Sequence, residues 1–222
     1  MENLKNRKNF AKKILSFLLK EYGKVKTKLK YKNNFELLIA VILSAQTTDE
    51  QVNRTTKKLF KVYNSPIKLA KAKNKDIEKI IKPTGYYKQK TKYIISTSKK
   101  LLKDFNSKVP SNIEDLLSLP GVGRKTANII LSFGFNKHEG IAVDTHCKRV
   151  SYRIGITKIK ENPFKIEKDL VKIIPKKYWG IYTNLMIAHG RRYCKAKKPL
   201  CKICPIEKMC EKNGIKKEKA MF

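Results

Sequence analysis

The sequence predicts an all-α fold, and three observations carry that expectation. Apolar residues recur at helical spacing along most of the chain, and capping residues precede the periodic runs. The only strand-like segment, Ile141-Ala142-Val143, is too short to build a sheet. With 222 residues the chain can bury a sizeable core as one domain or two small ones.

Taken in order, the first element is an amphipathic helix carrying Ile14-Leu15-Ser16-Phe17-Leu18-Leu19 between lysines. Its apolar run is too short for a secretory core and no small-residue cleavage site follows, which predicts a cytoplasmic chain without a signal peptide. A lysine-rich connector, residues 24–30, leads to Phe35–Leu43, which is apolar on nearly every side and suits a helix buried on all faces. Thr48 or Asp49 can cap the next helix, with Val52, Leu59 and Phe60 at helical spacing. Ser65-Pro66 and Asn74 open two short helices, and Gly85 precedes a longer lysine-rich helix ending near Phe105. Ser111-Asn112-Ile113-Glu114 reads as a capping box. After the break at Pro120-Gly121-Val122-Gly123, a helix resumes from Arg124 to about Phe133. Asn162-Pro163 caps another helix, residues 176–193 read as one more, and the tail after Gly214 is expected to fray. Lys90-Thr91-Lys92-Tyr93-Ile94-Ile95 faintly echoes Lys125-Thr126-Ala127-Asn128-Ile129-Ile130, a likeness any two amphipathic helices can share.

The formal net charge is +34, from 52 basic and 18 acidic residues. Such a surface suits a polyanion, nucleic acid first. The excess of Lys, Ile and Asn is also what a low-GC genome produces in any protein, so the charge supports this reading without proving it. No stretch approaches the roughly 20 apolar residues of a membrane span. Five cysteines in a chain of this kind argue for metal or chemistry over a disulfide scaffold, and four of them crowd between positions 194 and 210.

Two motifs carry chemistry. In Leu119-Pro120-Gly121-Val122-Gly123-Arg124-Lys125-Thr126-Ala127, two glycines separate two helices. Unpaired N–H groups of the turn and of the following helix form a phosphate cradle, the helix-hairpin-helix pattern, against the plainer alternative of a tight turn. Lys125 stands in the first turn beside Arg124. A nucleophilic amine must be unprotonated, which a helix N-terminus and a neighbouring cation both favour; the default for a single lysine remains phosphate pairing. Asp144, in Val143-Asp144-Thr145-His146, is a natural helix cap, and capping is compatible with a catalytic role because the carboxylate is held rigidly. The second motif is Cys194, Cys201, Cys204 and Cys210, in the spacing Cys-x6-Cys-x2-Cys-x5-Cys. Four thiolates in one loop-rich segment suit a tetrahedral metal or a cubane cluster, and spacing alone does not choose between zinc and iron–sulfur.

These motifs together, over nearly the whole chain from Phe35-Glu36-Leu37-Leu38-Ile39-Ala40 to Cys210, resemble the endonuclease III family. The resemblance implies two helical lobes with a DNA-binding cleft between them: a six-helix helix-hairpin-helix lobe at residues 27–137, and an iron–sulfur lobe joining residues 1–26 to 138–222. It implies a monomeric bifunctional glycosylase and abasic-site lyase acting on oxidised pyrimidines in double-stranded DNA. Lys125 matches the Schiff-base lysine, Asp144 the essential carboxylate, and the four cysteines the ligands of one 4Fe-4S cluster. Gln46, in Leu43-Ser44-Ala45-Gln46-Thr47-Thr48-Asp49, matches a glutamine that fills the gap left by the flipped base; equally, it could satisfy the carbonyls ending a buried helix. Tyr86 stands where relatives often place a leucine wedge, a departure that bears on opposite-base contacts, and tyrosine can stack on bases. Gly121, Gly123, Arg124, Lys195, Lys197 and Lys198 are expected against phosphate. His146 is expected to orient the cleft, Cys147 to be a small buried hydrophobe, and His138 and His189 to be ordinary structural or surface residues. The rivals are a mismatch-directed or adenine glycosylase of the same superfamily, and a non-catalytic, metal-stabilised DNA-binding module. Lys125 argues against the monofunctional enzymes, and the short stretch after Cys210 against the extra domain of adenine-specific relatives.

Overall fold

The computed structural model describes residues 3–23, 25 and 27–215, so Lys24 and Lys26 of the connector and the tail from residue 216 onward lie outside the described residues. Among them the regular structure is helical throughout: α1 (Leu4–Tyr22), α2 (Asn34–Leu43), α3 (Asp49–Val62), α4 (Pro66–Ala70), α5 (Asn74–Ile81), α6 (Tyr87–Asp104), α7 (Ile113–Leu117), α8 (Arg124–Phe135), α9 (Thr145–Ile154), α10 (Pro163–Ile173) and α11 (Trp179–Arg192). Ile141, Ala142 and Val143 are buried without forming a strand; Thr183 donates to the Ala142 carbonyl at 2.5 Å instead. None of these helices is long and apolar enough to cross a membrane.

Local chemistry accounts for most helix starts. Asn33, Thr48, Ser65 and Asn162 each accept the amide three residues on, and proline follows Ser65 and Asn162 at the first helical position. Two boundaries depart from expectation. The cap of α7 is Asn112, not Ser111: its carboxamide accepts from the Asp115 amide and donates to the Asp115 carboxylate, a side-chain pair in place of the expected capping box. The segment read as one helix over 176–193 begins as a 3₁₀ turn, Lys176–Tyr178, before α11.

The chain divides into two units, Thr27–Glu139 and Met1–Lys26 with Gly140–Phe222. In the first, α2 is the central rod. Every residue from Phe35 to Leu43 is buried, and it packs on α3, α6 and α8 through Val52, Leu59, Ile94, Ala127, Ile130 and Leu131. At roughly 1.5–3 kcal/mol per large buried side chain, this helix needs no polar face to be stable. In the second, Ala11, Ile14, Leu15 and Leu18 of α1 join α9, α10 and α11 around the fully buried Tyr182, whose hydroxyl is 2.8 Å from Ser151 Oγ. Arg7 ties α1 down by donating to Asp169 Oδ2 (2.7 Å) and the Ile156 carbonyl (3.1 Å).

Candidate functional site

In the Thr27–Glu139 unit, the hairpin sits between α7 and α8. Val122 is buried and anchors the turn, and Thr97 Oγ1 donates to the Pro120 carbonyl at 2.5 Å, fastening the turn to α6. The two glycines differ in kind. Gly121 has φ +77°, and a Cβ there would lie 2.7 Å from Tyr93 Cγ, so the fold itself demands glycine. Gly123 has φ −90° and nothing within 4 Å of an added Cβ. The fold makes no such demand there. Gly123 is the N-cap of α8, supplies no side-chain acceptor to the helix's first turn, and has an exposed backbone. Arg124 and Lys125 are the first two residues of that helix, and both are exposed.

The same unit displays Gln46 and Tyr86. Both are exposed and both hold left-handed backbone, at φ 54° and 48°. A non-glycine residue in that region costs roughly 1–2 kcal/mol, strain of the kind that gathers at functional sites. Of the carbonyls that end α2, those of Ala40, Val41 and Leu43 accept from Ser44 and Lys90. Lys90 is a functional candidate that sequence reading missed, being one lysine among many along its helix. Its side chain is buried and its ammonium is wholly engaged by protein acceptors.

In the other unit, Asp144 caps α9 by accepting the Cys147 amide at 2.7 Å through Oδ1. Oδ2 is not used by that bond, and the carboxylate is half-buried and held. Two residues on, His146 Nδ1 lies 3.1 Å from an Arg149 nitrogen. Guanidinium only donates, so Nδ1 must accept, and a neutral ring then carries its proton on Nε2. Arg149 also reaches the carbonyls of Cys194 and Gly190, which joins the His146 segment to the cysteine segment. Gly190 allows the approach, since a Cβ there would meet His146 Nδ1 at 2.6 Å. Cys147 is fully buried, as its reading as a small hydrophobe expects.

Cys194 follows the C-cap of α11, and Cys201, Cys204 and Cys210 follow in a segment of 3₁₀ turns; none is in a disulfide. All four line one cavity, with His189, Tyr193 and Leu200. Burial, together with the negative charge of neighbouring thiolates, pushes Cys204 up and Cys210 up to about 11. Holding these groups as thiolates would require a cationic group among them. Among the described residues no three potential ligands converge as they would on a single metal ion. Four sulfurs lining one cavity are a donor set that suits either a metal ion or a metal–sulfur cluster. Two side chains approach the sulfurs: an Arg153 nitrogen donates to Cys194 Sγ at 3.7 Å, and His189 Nε2 lies 3.5 Å from Cys204 Sγ. His189 is buried, and burial pushes its ring down to about 4, so it is neutral. Arg153 also binds the carbonyls of Lys195 and Ala196, shaping a loop on which Lys195, Lys197 and Lys198 are all exposed.

Residues 39–176 match the family model of the HhH-GPD superfamily base excision DNA repair protein. The chain is 41% identical to an Endonuclease III of Synechocystis sp. over 210 residues, 95% of each chain. It is 45% identical to one of Rickettsia prowazekii over 199 residues, 90% of this chain and 93% of that one. Among solved structures it resembles a trapped Endonuclease III–DNA covalent intermediate, with TM-score 0.87, 40% identity, and 92% and 96% of the two chains covered. A thermostable thymine-DNA glycosylase shares the fold at TM-score 0.80 and 24% identity, over 93% of this chain and 96% of that one.

Proposed function

The chain belongs to the endonuclease III family of the HhH-GPD superfamily, a DNA glycosylase and abasic-site lyase of base excision repair, and on that premise we propose that Lys125 is its nucleophile and Asp144 its essential carboxylate. The observation that carries the assignment is the place of Lys125. It is exposed in the first turn of α8, directly behind a hairpin whose exposed N-cap, Gly123, gives the helix no side-chain acceptor of its own. A phosphate held there brings the adjoining deoxyribose towards the amine.

The substrate is double-stranded DNA carrying an oxidised pyrimidine or an abasic site, bound by one copy of the chain. Extrusion of the nucleotide is least costly where damage has weakened stacking or pairing. The Lys125 amine attacks the sugar C1′ and the base departs with the glycosidic electron pair. Asp144, fixed through Oδ1, uses its remaining oxygen to accept a proton from the attacking amine or to face the positive charge growing on the sugar. Loss of the ring oxygen's bond to C1′ gives an imine with Lys125, which acidifies the C2′ hydrogens. Removal of one expels the 3′ phosphate by β-elimination. Gln46 and Tyr86 fill the space the nucleotide vacates. Gly121, Gly123, Arg124 and the exposed Lys195, Lys197 and Lys198 meet phosphates. His146 orients the residues around Asp144.

Cys194, Cys201, Cys204 and Cys210 would hold one 4Fe-4S cluster, one thiolate to each iron. Fully ligated, it would offer the substrate no open position and would serve to shape the lysine loop.

A duplex with a single thymine glycol tests the reading. Wild-type protein should release the base and leave a nick with a 3′ unsaturated aldehyde. Lys125→Gln should leave the strand intact while still binding the duplex. A Lys125→Gln protein that nicks at the wild-type rate would refute the assignment.

A further inference from the structure

Lys90 occupies a position that a lysine rarely tolerates. It is 4% exposed, and among the described residues it has no carboxylate partner. Its Nζ donates to the Leu43 carbonyl at 2.8 Å, to Thr47 Oγ1 at 2.8 Å and to the Thr84 carbonyl at 2.7 Å. An ammonium has three donors, and all three are used. Burial pushes Lys90 down to about 8, which keeps the ammonium the main form at neutral pH.

The three acceptors lie on separate pieces of backbone: the end of α2, the turn that follows it, and the loop entering α6. Gln46 lies between the first two acceptors, and Tyr86 follows the third by two residues. Thr47 Oγ1 also donates to the Thr84 carbonyl at 2.5 Å, a second tie between the same two loops. Below the ties the scaffold is packed, with Leu43, Thr84 and Thr91 all buried. Above them, both displayed side chains reach into solvent from left-handed backbone.

The geometry points to Lys90 as a positioning residue that fastens the Gln46 turn and the Tyr86 loop into one preorganised wedge, presenting both side chains to duplex DNA at a fixed spacing. This rests on the reading of Gln46 and Tyr86 as the residues that fill the vacated gap. Two loops ordered separately on the DNA would lose entropy at the moment of binding, whereas loops already joined by the fold do not. The buried cation thus serves extrusion of a paired nucleotide and has no part in bond breaking.

The test compares single-turnover base release from a thymine glycol paired with adenine and from one left unpaired in a bulge. The proteins are wild type, Lys90→Met, Thr47→Val, the Gln46→Ala/Tyr86→Ala pair, and each tie variant combined with that pair. Misplacing the wedge should slow release from the paired duplex roughly tenfold or more with Lys90→Met, and less than about threefold from the bulge. In the Gln46→Ala/Tyr86→Ala background the same substitution should add less than about twofold, since the residues act as a unit. Thr47→Val should move the same way by a smaller factor, and it carries both comparisons if Lys90→Met does not fold. If the Gln46→Ala/Tyr86→Ala pair itself leaves paired release unchanged, the gap-filling reading falls and takes this inference with it. If that pair slows release but the tie variants slow bulged and paired substrates equally, or add to the pair in full, Lys90 is only a helix cap and the inference is overturned.

Discussion

Replacing each hairpin glycine by alanine separates what the fold needs from what DNA needs. At Gly121, φ +77° costs an L-residue about 1–2 kcal/mol, and the new Cβ would overlap Tyr93 at Cγ and Cβ, 2.7 and 2.8 Å away. Those atoms lie near the root of the tyrosine, so backbone must move, adding about 1–3 kcal/mol. Gly121→Ala should therefore lose roughly 2–5 kcal/mol and melt about 5–15 °C lower. At Gly123, φ −90° suits alanine and the Cβ meets nothing within 4 Å. Gly123→Ala should lose only about 1 kcal/mol or less, because alanine is the poorer N-cap but restricts the unfolded chain. Its methyl group would nonetheless stand where a phosphate approaches the α8 amides. Losing one charge-assisted hydrogen bond costs about 1.5–3 kcal/mol, or roughly 10- to 100-fold in Kd. Calorimetry and fluorescence anisotropy with a duplex carrying a reduced abasic analogue give both quantities. A Gly123→Ala protein that melts like Gly121→Ala, or binds DNA like wild type, would refute the assignment of the open cradle to phosphate.

Three further outcomes follow from the same geometry. Asp144→Asn keeps a good N-cap and should leave the melting temperature nearly unchanged while slowing base release about 100-fold or more; Asp144→Ala should also lose about 1 kcal/mol of stability, and equal melting of the two would count against the capping role. Cys210→Ser should lower bound iron and visible absorbance, expose the segment from Cys194 to Cys210 to protease and weaken DNA binding, whereas stoichiometric zinc in a colourless wild-type protein would overturn the cluster assignment. Binding should weaken steeply with salt, and replacing Lys195, Lys197 and Lys198 together by alanine should reduce the slope of log K against log salt by about 2–3; an unchanged slope would remove that loop from the interface.

Much of the fold was legible because its signals are local. The all-apolar run Phe35–Leu43 reads as a buried rod, and Ser65-Pro66 and Asn162-Pro163 mark helix starts by their own chemistry. The hairpin and the four cysteines were legible for the same reason, each being contiguous. Long-range consequences were not. The echoing segments at Lys90 and Lys125 look alike in sequence, yet one lysine is buried among carbonyls and the other is exposed. Burial is decided by what packs across from a helix, and no residue near Lys90 announces Leu43, Thr47 and Thr84. His189 was invisible likewise: only the fold brings it to Tyr22 Oη at 3.1 Å and to Cys204. The Gly121 and Gly123 distinction also needed coordinates, since Tyr93 lies far along the chain and Gly123 is set apart by empty space.

The most direct measurement is borohydride reduction of the wild-type protein on abasic-site DNA, followed by proteolysis and mass spectrometry of the cross-linked peptide. The account predicts a reduced deoxyribose adduct on the Nζ of Lys125, in the peptide that opens α8. An adduct on any other amine of this lysine-rich chain would contradict it.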